Sequence, residues 1–206
     1  MRVALFGGTF DPPHRGHLAV ASAAADAFDL DRVLFAPVGR QPLKAKDGAS
    51  PFADRVAMVE LACAVDARFA VSLIDAPRED GRPNYTVDTL QALRDAMPDG
   101  PTKSPLFSLV GADSFLHMRQ WRDPERLLEL AEWIVVSRPG FPLGEIEAMG
   151  WTPEQRARVH VLESVNEDVA ATDLRERLDA GACCTDVLPQ AVAEYIQSHQ
   201  LYRRRR

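Results

Sequence analysis

Cysteine is scarce in this 206-residue chain: Cys63, Cys183 and Cys184 are the only three, and two of them are adjacent. That number and spacing suit neither a disulfide framework nor a tetrahedral metal site, so reduced thiols are expected. Basic charge is also short. The 24 Lys and Arg face 30 Asp and Glu, and without the four terminal arginines the body holds 20 basic residues and a net charge of −10. A general nucleic-acid binder needs a broadly basic face, so no nucleic-acid partner is expected, and residues 203–206 read as a solvated, disordered basic tail. No apolar run approaches the roughly 20 residues that span a bilayer. The apolar run in MRVALFGG is too short for a signal peptide. Neither a membrane partner nor export is expected, and the compartment implied is the cytoplasm. The chain lacks internal repeats and any clear linker, so residues 1–202 are expected to form one domain, with a homo-oligomer left open. Two phosphate-binding signatures are missing as well, the G-x-x-x-x-G-K-[ST] P-loop and the G-x-G-x-x-G dinucleotide fingerprint.

What the sequence does contain is VALFGGTFDPPHRGHL at residues 3–18. Four apolar residues read as a buried strand, Gly7 and Gly8 end it, and a loop with Pro12 and Pro13 leads to an alanine-rich helix from near His14. Glycines let backbone approach a ligand closely, and the first amides of a helix present partial positive charge, so this corner suits a phosphate. His14 and His17, three apart, share one face of the first turn and could both donate to phosphate oxygens.

Downstream the chain alternates. Residues 32–36, 69–74, 106–110, 133–137 and 160–162 read as further strands. Helices are expected from Ser50-Pro51, from Thr86, from Ser114 to Trp121, over residues 125–132 and from Thr172 to near Gly181. The pattern predicts an α/β fold with a doubly wound, mostly parallel sheet of five to six strands. In the second helix Val56, Met58, Val59, Leu61 and Ala62 form the expected buried side. Arg55 falls outside it, either in a surface salt bridge or near the site.

Ligands bind outside the carboxyl ends of such strands, which places Gly111 and Asp113 on the same edge as Gly7 and Gly8. Asp113 could take a ribose hydroxyl or a metal-bound water. Lys44, in the long 37–50 loop, either swings over a triphosphate or stays solvated. Arg138 follows the fifth strand and could grip a phosphate or carboxylate bidentately. Trp121 either buries its area in the core or offers a flat ring to a ligand. Thr172, as a helix cap, and Arg175 on the same face would supply a hydroxyl and a guanidinium to β- and γ-phosphates.

GGTFDPPHRGH resembles the N-terminal signature of the nucleotidyltransferases that carry an (H/T)-x-G-H motif, here His14-Arg15-Gly16-His17. Its long form is most similar to that of the bacterial nicotinate-nucleotide adenylyltransferases. Further strings resemble that family: R-x-x-Y-T-x-x-T-L at residues 82–90, G-A-D-S through to Trp121, and Arg138-Pro139-Gly140. The resemblance implies a Rossmann-like nucleotidyltransferase fold that moves AMP from ATP to nicotinate mononucleotide, with Mg²⁺ carried by ATP and no metal ligands in the chain. It implies catalysis by His14, His17 and Arg175. ATP would be bound by Gly7, Gly8, Thr9, Phe10, His14, His17, Lys44, Gly111, Asp113, Thr172 and Arg175. The acceptor would be bound by Tyr85, Thr86, Trp121 and Arg138. One departure stands out, because Ala170 and Ala171 replace the two serines of the family's I-S-S-T-x-x-R string. Nicotinamide mononucleotide or phosphopantetheine as acceptor, and a non-catalytic nucleotide-binding regulator, are the alternatives.

Overall fold

The computed structural model describes residues 1–40, 49–97, 104–137, 144–163 and 171–203. Short runs rich in Val, Leu and Phe build six strands: β1 (Val3–Gly8), β2 (Arg32–Pro37), β3 (Phe69–Val71), β4 (Leu106–Gly111), β5 (Glu132–Ser137) and β6 (Val159–Glu163). They make one sheet in the order β3-β2-β1-β4-β5-β6, with every neighbouring pair parallel. The order reverses between β1 and β4, so the crevice of a doubly wound sheet opens beside the carboxyl ends of these two strands.

Alternation along the strands sorts the apolar side chains onto two faces. Val3, Leu5, Trp133, Val135 and Val159 join one cluster with Leu90, Phe115, Leu127 and Leu128, while Ala4, Val33, Phe35, Phe107 and Ile134 join another with Ala21, Ala24, Ala25 and Val59. Helices cover both faces. They are α1 (Arg15–Ala27), α2 (Phe52–Cys63), α3 (Thr86–Ala96), α4 (Ala112–Phe115), α5 (Pro124–Leu130), α6 (Gly144–Glu147), α7 (Pro153–Arg156), α8 (Ala171–Asp179) and α9 (Gln190–Ser198). A third cluster joins α2 to α8 and α9 through Met58, Ala62, Leu174, Leu178, Val192 and Ile196.

Several boundaries differ from the sequence reading. Gly7 and Gly8 lie inside β1 rather than beyond it. The third strand stops at Val71, because the Ser72 hydroxyl accepts from the Ile74 N–H and the Ala76 N–H closes a turn on the Leu73 carbonyl. Pro51 takes the cap position with extended ψ of 142°, so α2 begins at Phe52. The helix expected from Ser114 to Trp121 is instead α4 followed by a 3-10 turn at Met118–Gln120, since His117 leaves helical geometry with ψ of 4°. Thr172 is the second residue of α8, inside its first turn.

Candidate active site

The corner after β1 is held in shape from four directions. Arg55 is only 4% exposed, and its guanidinium is spent on three carbonyls: Nη1 donates to Thr9 (2.8 Å), Nη2 to Val38 (2.9 Å) and Nε to Ser50 (3.2 Å). The expectation that Arg55 lies outside the buried stripe of α2 is therefore corrected. The inward positions are Arg55, Met58, Val59, Ala62 and Cys63, at the helical intervals 0, 3, 4, 7 and 8. Read with that period, the stripe begins on the arginine. Val56 and Leu61 are only partly covered.

Asp11 is the second anchor, 5% exposed. Its Oδ1 accepts from the Tyr202 hydroxyl (2.6 Å), its Oδ2 from the Ser50 N–H (3.2 Å), and its carbonyl from Arg175 Nη1 (2.9 Å). The last contact brings α8 onto the loop. Arg175 Nη2 also donates to Thr172 Oγ1 (3.3 Å), so the hydroxyl and guanidinium expected to act together sit side by side beside the β1–α1 corner. Ala171 opens α8 without a hydroxyl.

Phe10 does not present its ring to a ligand. It is 2% exposed, lies edge-on to Phe6 at 5.5 Å and belongs to the second apolar cluster. It also explains Gly8 differently, since a Cβ there would come within 2.9 Å of the Phe10 ring. At Gly7 a Cβ would meet nothing within 4 Å, so the openness expected of the pair belongs to Gly7.

The two imidazoles meet at the start of α1, with ring centroids 3.7 Å apart and planes tilted by 34°. The His14 backbone N–H donates to His17 Nδ1 (3.2 Å), an arrangement that assigns the proton of neutral His17 to Nε2. Burial pushes His14 down to about 4. Burial and the neighbouring His14 hold His17 well below the usual imidazole range. Both rings are therefore neutral donors at pH 7. His14 Nδ1 is buried with no hydrogen-bond partner among the described residues, an unusual position for a polar atom in a packed protein.

Gly111 and Asp113 are exposed at the carboxyl end of β4, beside β1, as the edge rule requires. Tyr85 caps α3 and Thr86 is its first residue. Arg122 stacks its guanidinium over the Tyr85 ring at 4.8 Å, while Trp121 stands edge-on to Trp133 at 6.1 Å. Tyr85 and Trp121 both pack against the first cluster, each partly exposed. Lys44 and Arg138 lie outside the described residues, as does Ala170.

The cytidylyltransferase-like family profile matches residues 5–177. Two relatives, both called probable nicotinate-nucleotide adenylyltransferase, are 40% identical. The one from Leifsonia xyli subsp. xyli aligns over 98% of this chain and 94% of its own, and the one from Corynebacterium glutamicum over 98% and 88%. The chain belongs to the nicotinate-nucleotide adenylyltransferases. Its fold is also that of the Plasmodium falciparum nicotinic acid mononucleotide adenylyltransferase solved in complex with NaAD, at TM-score 0.73 and 14% identity over 98% of this chain and 97% of that one. A putative nicotinate-nucleotide adenylyltransferase from Vibrio parahaemolyticus matches at TM-score 0.65 and 19% identity, covering 99% and 96%.

In this adenylyltransferase the sequence reading missed the residues that hold the site. Asp11 was legible only as part of the GGTFDPPHRGH string, and nothing in the sequence singles out Tyr202. A further knot joins the loops after β2 and β3. The Asn84 amide donates to the Ala76 carbonyl (3.0 Å) and accepts from the Arg40 N–H (3.2 Å), while the Thr89 hydroxyl donates to the buried Asp75 carboxyl. Burial pushes that carboxyl up, opposed by the bond from Thr89. Among the described residues no group of three or more His, Cys, Asp or Glu side chains gathers as a metal cage, and no helix is long and apolar enough to cross a membrane.

Proposed function

We propose that the chain transfers AMP from ATP to nicotinate mononucleotide, giving nicotinate adenine dinucleotide and pyrophosphate. The observation that carries this reading is the pair of neutral, closely apposed imidazoles at the head of α1, flanked by Arg175 on the loop carbonyl of Asp11. The acceptor's phosphate, with a second pKa of about 6, is mostly dianionic at neutral pH and needs no activating base. One of its oxygens attacks the α-phosphorus of ATP. The new P–O bond forms as the bond from that phosphorus to the bridging α–β oxygen breaks, and pyrophosphate leaves in line on the far side.

The protein's contribution in this reading is position and charge. His17 donates through Nε2–H to the α-phosphoryl oxygens, and His14 gives its unpartnered nitrogen a phosphate oxygen to bind. Each such donor is worth about 3 to 4 kcal/mol when aimed at developing charge. Arg175 and Thr172 hold the pyrophosphate end with Lys44 assisting, and the amides of Gly7, Gly8, Thr9 and Phe10 face the phosphates. Gly111 and Asp113 take the adenosine side. Tyr85, Thr86, Trp121 and Arg138 form the acceptor pocket, with Trp121 offering the exposed part of its ring to the pyridine.

Mg²⁺ arrives on ATP as part of the substrate in this reading. A donor set of imidazoles, guanidinium and hydroxyl fits phosphate oxygens rather than a bare cation, and the ion's chemistry is to neutralise charge on the triphosphate. Partners are therefore small molecules. A cytoplasmic location is supported by three unpaired thiols. The test is an acceptor screen with product identification by mass spectrometry. Nicotinate mononucleotide should give the dinucleotide and pyrophosphate in preference to nicotinamide mononucleotide and phosphopantetheine. Preference for a non-pyridine acceptor, or ATP binding without pyrophosphate release, overturns the reading.

A further inference from the structure

The β1–α1 loop is anchored by a residue 191 positions away. Tyr202 lies just beyond α9, and its hydroxyl reaches Asp11 Oδ1 at 2.6 Å, the length of a strong bond from a hydroxyl to a carboxylate. The backbone at Tyr202 has φ of +64°, and Phe10 on the loop has φ of +49°. A bulky aromatic residue seldom adopts this left-handed region and stays there only when surrounding contacts impose it. Two such residues thus flank one hydrogen bond. The Asp11 carboxylate is buried, with one described donor on each oxygen, so loss of the Tyr202 hydroxyl leaves one oxygen unpaired. The carbonyl of the same residue holds Arg175, and His14 follows three residues later.

We propose that Tyr202 is a positioning residue for the transfer reaction: through the Asp11 carboxylate it fixes the loop between His14 and Arg175, so that turnover depends on its hydroxyl. The inference rests on the adenylyltransferase reading above. Packing in the third cluster involves the ring of Tyr202, which Phe would keep, so the hydroxyl's role separates from the ring's. Displacement of reacting groups by about 1 Å costs up to about a hundredfold in rate, and partial loosening of one of several anchors should cost about tenfold.

The test begins with wild-type protein, ATP and nicotinate mononucleotide. Absence of pyrophosphate release there sinks the reading itself, not the inference built on it. With wild type active, Tyr202→Phe should lower kcat about tenfold while KM for both substrates stays within about threefold and the melting temperature changes by only a few degrees. Asp11→Ala should lower kcat at least as far, and the double variant should be no slower than Asp11→Ala alone, because the Tyr202 contact is already gone. A chain ending at Tyr202 should keep wild-type kcat, which separates the tyrosine from the arginines after it. Wild-type kcat in Tyr202→Phe, multiplicative losses in the double variant, or a Phe variant that fails to fold would each overturn the proposal.

Discussion

Acid should destabilise this protein partly through His14, and removal of that ring should flatten the response. The imidazole falls from an ordinary 6.5 to about 4 on burial. Between those values the unfolded chain binds a proton that the folded chain refuses, so acidification favours unfolding. The contribution is fully present above the unfolded value and is lost as the pH falls toward 4. The whole gap corresponds to about 3.4 kcal/mol. At about pH 5.5 the unfolded ring is roughly nine-tenths protonated and the folded ring almost wholly neutral, so about 1.4 kcal/mol is already gone. Urea unfolding of wild type and His14→Gln at about pH 7.5 and 5.5 reads this directly. Wild type should lose about 1.4 kcal/mol more than the variant over that interval. His17 reinforces the sign, since removing His14 also removes one cause of its own depressed value. Parallel losses in the two proteins would refute the reasoning, because they would mean that the folded site accepts the proton as readily as the unfolded chain.

His17→Ala should lower turnover at least tenfold with the fold intact by circular dichroism, since one donor to developing charge is worth several kcal/mol. Arg55→Met should destabilise by about 3 kcal/mol in urea titration, because the carbonyls of Thr9, Val38 and Ser50 lose their shared donor, each at about 1 kcal/mol or more. Trp121→Ala should raise KM for nicotinate mononucleotide about tenfold and leave KM for ATP nearly unchanged in initial-rate assays, as expected for an aromatic contact to one substrate alone.

The sheet was legible because each strand is a short apolar run, set off by the polar turns and helices between them. Even β6, with only five residues, shows as His160-Val161-Leu162. The paired histidines were legible for a similar reason, since spacing of three within one helical turn is local information. Boundaries went astray where a side chain or turn outbid propensity, as Ser72 does at the end of β3 and His117 after α4. The anchors of the site were not legible at all. Tyr202 and Asp11 are 191 residues apart, and nothing in either neighbourhood specifies the other. The place of the Phe10 ring was not legible either. Phe10 sits inside a phosphate-binding string, yet its ring serves the core and thereby explains Gly8.

These misplaced expectations share one physical cause. A loop that turns its amides and imidazoles toward an anion cannot also pair its backbone in a sheet or helix, so its carbonyls need donors from elsewhere. Water would supply them on an open surface. Here Asp11 is buried and Thr9 partly so, and guanidinium groups do it instead: Arg55 takes the Thr9 carbonyl and Arg175 the Asp11 carbonyl. Arginine suits this task because its planar fork satisfies several fixed acceptors at once and does not lose its charge. Burying Arg55 would be costly for an unpartnered cation. Three carbonyls share its donors, and the buried Asp11 carboxylate on the same loop offsets its charge. The corner thus owes its rigidity to two side chains from outside it, Arg55 on α2 and Arg175 on α8.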